Sequence, residues 1–165
     1  MVQTKKGNGL FYPPSCFNLA RQYLAGKGTD QSDTEALKAL ERSCESAGHA
    51  GACHHLGTML LSKEDDGKGV KYDGVRGLKA LTDACEEGDG VSCHLAGGVM
   101  LDESGRFKDV ERKWGRGRGK EAERLLVKGC EGGMAKSCFN LAVMYKKAKV
   151  RRSEGRREAT ASAVF

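Results

Sequence analysis

An all-α fold is what the sequence predicts: an α/α superhelix (solenoid) of helical hairpins, three hairpins plus a fourth A helix. Three observations carry it. The seven cysteines fall as one singleton and three close couples, Cys16, Cys44–Cys53, Cys85–Cys93 and Cys130–Cys138. Residues aligned on those cysteines recur with helical periodicity. Both prolines, Pro13 and Pro14, stand at the start, so no later residue breaks a helix through a missing N–H. Self-similarity at a period of about 40 residues marks stacked helical repeats, each burying its apolar face against its neighbours.

The A helix of each unit is read from the second cysteine of each couple, with Cys16 in the same column; the intervals are 37, 40 and 45 residues. One residue on stand Phe17, His54, His94 and Phe139, and three on stand Leu19, Leu56, Ala96 and Leu141. Four on, the residue is always small: Ala20, Gly57, Gly97, Ala142. Seven on stand Tyr23, Leu60, Met100 and Tyr145. These offsets trace one helical face with a small residue at its closest packing point.

The partner B helix is read backwards from the first cysteine. Eight before it are Ala36, Gly77 and Ala122; four before it are Leu40, Leu81 and Leu126. Each B helix runs into a glycine turn (Gly48; Gly88; Gly132 and Gly133) that suits a left-handed C-cap. The hairpins are expected at 15–26 with 33–47, 51–62 with 73–87 and 91–102 with 118–131, and the fourth A helix at 135–147. The A-to-B loops GKGTDQSD, KEDDGKGVKY and DESGRFKDVERKWGRGRG vary most, and such loops are where repeat arrays carry binding features. The third holds the only tryptophan, Trp114, amid Lys113, Arg116 and Arg118. It reads as a solvent-facing partner contact or as a cap folded back on a helix end.

These elements divide the chain into a disordered N-terminal segment (1–14), a repeat domain (15–147) and a basic, disordered or frayed tail (148–165). A core must come largely from Leu, Ala, Val and Met, because 39% of residues are hydrophobic but only 6% aromatic. The formal charge of +6 resides in Lys146 to Arg157, so the repeat body is balanced. A basic tail can meet an acidic surface, but it also describes a solvated terminus. No apolar run is long enough for a transmembrane helix, and neither a secretory h-region nor an Arg-rich presequence is visible. The short GRGRG run is a weak signal, and no nucleic-acid partner is expected.

A disulfide needs Cα atoms about 4.4–6.8 Å apart. Two cysteines eight residues apart on one helix lie about 10 Å apart. Across a tight glycine turn, however, the last turn of a B helix and the first turn of the next A helix come into range. The expected bridges are Cys44–Cys53, Cys85–Cys93 and Cys130–Cys138, leaving Cys16 as a free thiol or as one paired with residues outside this sequence. Zinc sites want closer, converging pairs, so no metal site is expected. No C-x-x-C redox motif occurs. His54 and His94 share a column about 10 Å apart, too far for one metal ion but able to flank haem or a partner. Phe17 and Phe139 in the same column favour plain packing, so no cofactor is assigned. No S-x-x-K, S-D-N or K-T-G set is present, and no catalytic residue is named.

The segments CFNLARQYLAGKGT, ACHHLG and SCFNLAVMY, with Ala-rich second helices ending in Cys, resemble Sel1-like (TPR-like) repeats across about residues 15–147. The cysteine-paired variety occurs in bacterial Hcp-type proteins and in a mitochondrial cytochrome c oxidase assembly factor. The resemblance implies cysteine bridges at the turns. It implies a non-enzymatic protein-binding scaffold of the mitochondrial intermembrane space, with respiratory-complex assembly components as partners. Other readings are an exported Hcp-like protein with weak penicillin-binding or β-lactamase activity, a haem- or thiol-handling factor, and a cytosolic adaptor with all thiols reduced.

Overall fold

The computed structural model describes residues 13–62 and 69–162, with side chains to residue 148. The helices are α1 (Pro13–Ala25), α2 (Asp33–Ala47), α3 (Ala50–Leu61), α4 (Gly74–Glu86), α5 (Gly90–Leu101), α6 (Lys108–Trp114), α7 (Arg118–Glu131) and α8 (Ala135–Ser162). A 3-10 turn at Gly115–Gly117 leads into α7. No strand occurs among the described residues.

Four helices start where a side chain accepts from an orphan backbone N–H. Ser32 accepts from the Glu35 N–H at the head of α2, and Asp73 from the Arg76 N–H at the head of α4. Asp89 accepts from the Ser92 N–H at the head of α5, and the His49 ring from the Ala52 N–H at the head of α3. Such caps contribute about 1 kcal/mol each. Gly48 ends α2 in the left-handed region at φ +62°, its N–H returned to the Cys44 carbonyl.

Helices pack chiefly on their neighbours in sequence: α1 on α2, α3 on α4 and α5 on α7 within hairpins, and α2 on α3, α4 on α5 and α7 on α8 between them. That near-neighbour pattern is a solenoid. Its interior forms two clusters. One holds Ala20, Leu40, Cys44, Cys53, Leu56 and Leu60; the other holds Leu78, Leu81, Cys85, Cys93, Met100 and Leu125. The small-residue columns set the closest approach. A Cβ on Gly57 would stand 2.7 Å from Leu81 Cγ and 2.8 Å from the Gly77 carbonyl oxygen.

The helices from α1 to α5 and α7 end within two residues of their expected positions. Two regions differ. The third loop contains α6, which sequence periodicity did not show because only one turn of it is apolar. Its Val110 is fully buried in the second cluster. Helix α8 runs to Ser162 rather than ending at 147, since no proline or glycine interrupts it before Gly155 and its lysines and arginines are good helix formers. The segment 1–14 lies outside the described residues except for Pro13 and Pro14, which form the first turn of α1, where proline is tolerated. Residues 163–165 also lie outside them.

Candidate functional site

The glycine corners bring each couple of cysteines together. Cys44–Cys53, Cys85–Cys93 and Cys130–Cys138 are bonded, with Cα–Cα separations of 4.7, 4.6 and 4.7 Å. Each bridge joins the end of one hairpin to the start of the next. The first two are buried, whereas Cys130 and Cys138 are half-buried. Cys16 is a free, half-buried thiol on α1. A loop of about ten residues closed this way is worth about 2–3 kcal/mol in the chain-entropy account.

Two of the acids that follow a first cysteine, Glu45 and Glu86, do further work between hairpins. Arg76 of α4 donates to Glu41 at 2.8 Å and to Glu45 at 3.3 Å. Arg124 and Lys128 of α7 donate to Glu86 at 2.6 and 2.5 Å. Hydrogen bonds from Lys128 and then Arg124 hold the Glu86 carboxyl below the usual carboxylate range. These pairs are exposed and individually weak, so they set register more than stability.

The histidine column has a chemistry that spacing did not reveal. His54 Nδ1 lies 2.9 Å from Ser92 Oγ and 3.2 Å from Asp89 Oδ2. Ser92 donates its hydroxyl proton to Asp89. The proton between His54 and Ser92 must therefore come from the imidazole. A serine, a histidine and an aspartate meet here, but the serine is fully buried and bonded directly to the carboxylate. A nucleophilic serine needs access to substrate and a base free to take its proton, and Ser92 has neither. The trio locks α3 to the N-terminus of α5.

One hairpin later the same positions hold His94, Ser137 and Met134. With Met134 in place of the aspartate, His94 Nδ1 and Ser137 Oγ are buried without a hydrogen-bond partner among the described residues. Burial, with Lys136 nearby, pushes the His94 pKa down. His55 is also lowered, by burial and then by His54 and Arg21, and its ring packs 5.6 Å from Phe17. No group of three His, Cys, Asp or Glu side chains among the described residues could hold a metal ion.

Trp114 is half-buried against the second cluster, with the Lys113 ammonium 4.7 Å above its ring. The residue that anchors this loop is Asp109, which sequence reading missed. It accepts from the Tyr72 hydroxyl at 2.6 Å and from the Val75 N–H at 3.1 Å, tying α6 to the head of α4. Burial works to raise its pKa, but the hydrogen bonds from Tyr72 and from backbone N–H groups outweigh it and the net shift is downward.

Between α2, α3 and α4 runs an open groove of about 520 Å³. Leu56 and Leu60 line it beside Glu45, Arg76, Lys79 and Asp83. Leu56 and Leu60 are each only 2% exposed, so the groove presents mainly charges of both signs, which suits a polypeptide surface better than a small apolar ligand.

Bridged, glycine-cornered hairpins stacked in this way make the chain a Sel1-like repeat protein of the cysteine-paired kind. The solved Sel1 repeat protein from Oxalobacter formigenes superposes with a TM-score of 0.57 at 25% identity, over 79% of this chain and 87% of that one. The chain is similar to cytochrome c oxidase assembly factor 7 of Mus musculus, 31% identical over 137 residues, or 81% of this chain and 54% of the relative. The Homo sapiens protein of the same name is 30% identical over the same shares. The chain thus spans about half the length of these relatives. No family model matches it.

Proposed function

We propose that this protein is a non-enzymatic scaffold that binds protein partners and assists assembly of cytochrome c oxidase in the mitochondrial intermembrane space. The observation that carries the reading is the stack of hairpins pinned at three bridged corners, which holds an open mixed-charge groove in fixed shape. A rigid groove binds without first having to order itself, so less of the contact energy is lost on association. The named function of the Mus musculus and Homo sapiens relatives supports the assembly role. Three bridges favour an oxidising compartment. No described helix is long and apolar enough to cross a membrane.

The test is deletion of the gene in its own cells, with assembled cytochrome c oxidase followed on native gels. Loss of the assembled complex is expected. Rescue should come from the wild-type chain and fail with a variant carrying both Arg76→Glu and Lys79→Glu in the groove. Normal levels of the complex after deletion would contradict the assembly role. Protease protection in intact and outer-membrane-ruptured mitochondria reads the compartment separately.

A further inference from the structure

We propose that the loop carrying α6, between α5 and α7, docks on the surface of an anionic lipid bilayer. The argument rests on charge and exposure in this loop and not on the cytochrome oxidase reading.

The charge balance of the repeat body is an average. Residues 105–120 hold seven Lys/Arg against two acids, Asp109 and Glu111. Both acids are engaged in anchoring the loop. Asp109 accepts from the Tyr72 hydroxyl and the Val75 N–H. Glu111 stands 3.6 Å from the Arg118 guanidinium, which also donates to the Asp102 carbonyl at 3.0 Å. Six cations remain: Arg106, Lys108, Arg112, Lys113, Arg116 and Lys120. All six are exposed, and none forms an ion pair with a described residue.

The loop holds these charges on a fixed base. Phe107, Val110 and Trp114 share the inner side of α6, where Val110 is fully buried and both rings pack against the second cluster. Lys108 and Arg112, one turn apart, occupy the outer side. The Arg106 guanidinium lies 5.4 Å from the Phe107 ring centroid, and the Lys113 ammonium 4.7 Å from that of Trp114. Half-buried rings bordered by Lys and Arg suit the headgroup layer of a bilayer, where an aromatic edge meets lipid and the cations meet phosphate.

The same features disfavour other anionic partners. A Cβ on Gly115, Gly117 or Gly119 would meet nothing within 4 Å. So open a surface has no walls to fix the carboxylates of a polypeptide, whereas lipid headgroups move laterally to meet each charge. Single-stranded RNA needs a free aromatic face for stacking. With Lys113 over its ring and the second cluster packed against it, Trp114 offers none. The contact is peripheral, since no described helix is long and apolar enough to cross a membrane.

Trp114 is the only tryptophan, so its emission reports the site directly. The intact chain is titrated with vesicles of phosphatidylcholine alone, and of phosphatidylcholine with about one-third phosphatidylserine. Emission should shift to the blue with the anionic vesicles only, and added salt should reverse the shift. Arg112→Glu with Arg116→Glu should weaken binding about tenfold or more. Arg151→Glu with Arg152→Glu in the basic tail should leave the Trp114 shift at saturating lipid unchanged. Equal behaviour toward neutral and anionic vesicles would overturn the proposal. So would sedimentation with vesicles without a change at Trp114, or binding indifferent to the loop reversal. Tighter binding to polyglutamate or polyuridine than to the anionic vesicles would overturn it in favour of an acidic protein or RNA.

Discussion

His54 and His94 occupy one column, yet only His54 is satisfied, and the difference is the residue that precedes the next A helix. Asp89 caps α5 and receives the Ser92 proton, so His54 completes a closed network. Met134 offers no acceptor, and His94 Nδ1 and Ser137 Oγ are left over. Met134→Asp should therefore cap α8 and satisfy Ser137, raising stability by about 1 kcal/mol in urea unfolding; an unchanged or lower midpoint would refute the equivalence of the two corners. The histidines also give a pH dependence. His55 and His94 are both held below the free-imidazole value of 6.5. As pH falls past that value the unfolded chain takes up protons before the folded one, so stability present above it is lost on acidification. Replacing both with Gln should flatten that slope between neutral and acidic pH. None of this was legible beforehand: the sequence shows the His column, but its partner lies 38 residues away in another helix with no fixed spacing to announce it.

At the scale of elements, the A and B helices were legible because a buried face repeats every three to four residues and the cysteine columns align the copies. The corners were legible for the same reason, since glycine after each first cysteine permits the turn that brings the couple into bonding range. Helix α6 was not. Its seven residues hold one buried side chain, Val110, and its anchor Asp109 acts on Tyr72 and Val75 far back in the chain. Val110→Ala should cost about 1–3 kcal/mol by leaving a void beside Leu78 and Leu125. Asp109→Asn should cost less, about 1–2 kcal/mol, through the weakened acceptor at the head of α4. Thermal unfolding ranks the two, and the reverse order would mean that α6 is held by its cap rather than by its apolar contact. Where hairpins cross, Gly57→Val should cost about 1–3 kcal/mol by forcing α3 away from Leu81.

Across the whole molecule, stability is the sum of short-range contacts between neighbouring helices, so the bridges matter more than in a globular core of the same size. Each one removes freedom from the unfolded chain at a joint where two hairpins would otherwise part. The half-buried Cys130–Cys138 bridge is the most accessible of the three, and graded reduction followed by alkylation should label it before Cys44–Cys53 or Cys85–Cys93.

The most direct measurement of the account is a thiol count under denaturing, non-reducing conditions, followed by mass mapping of the linked peptides. The account predicts one reactive thiol, at Cys16, and three linked pairs, each spanning a single glycine corner. Seven reactive thiols, or a link between different corners, would contradict it.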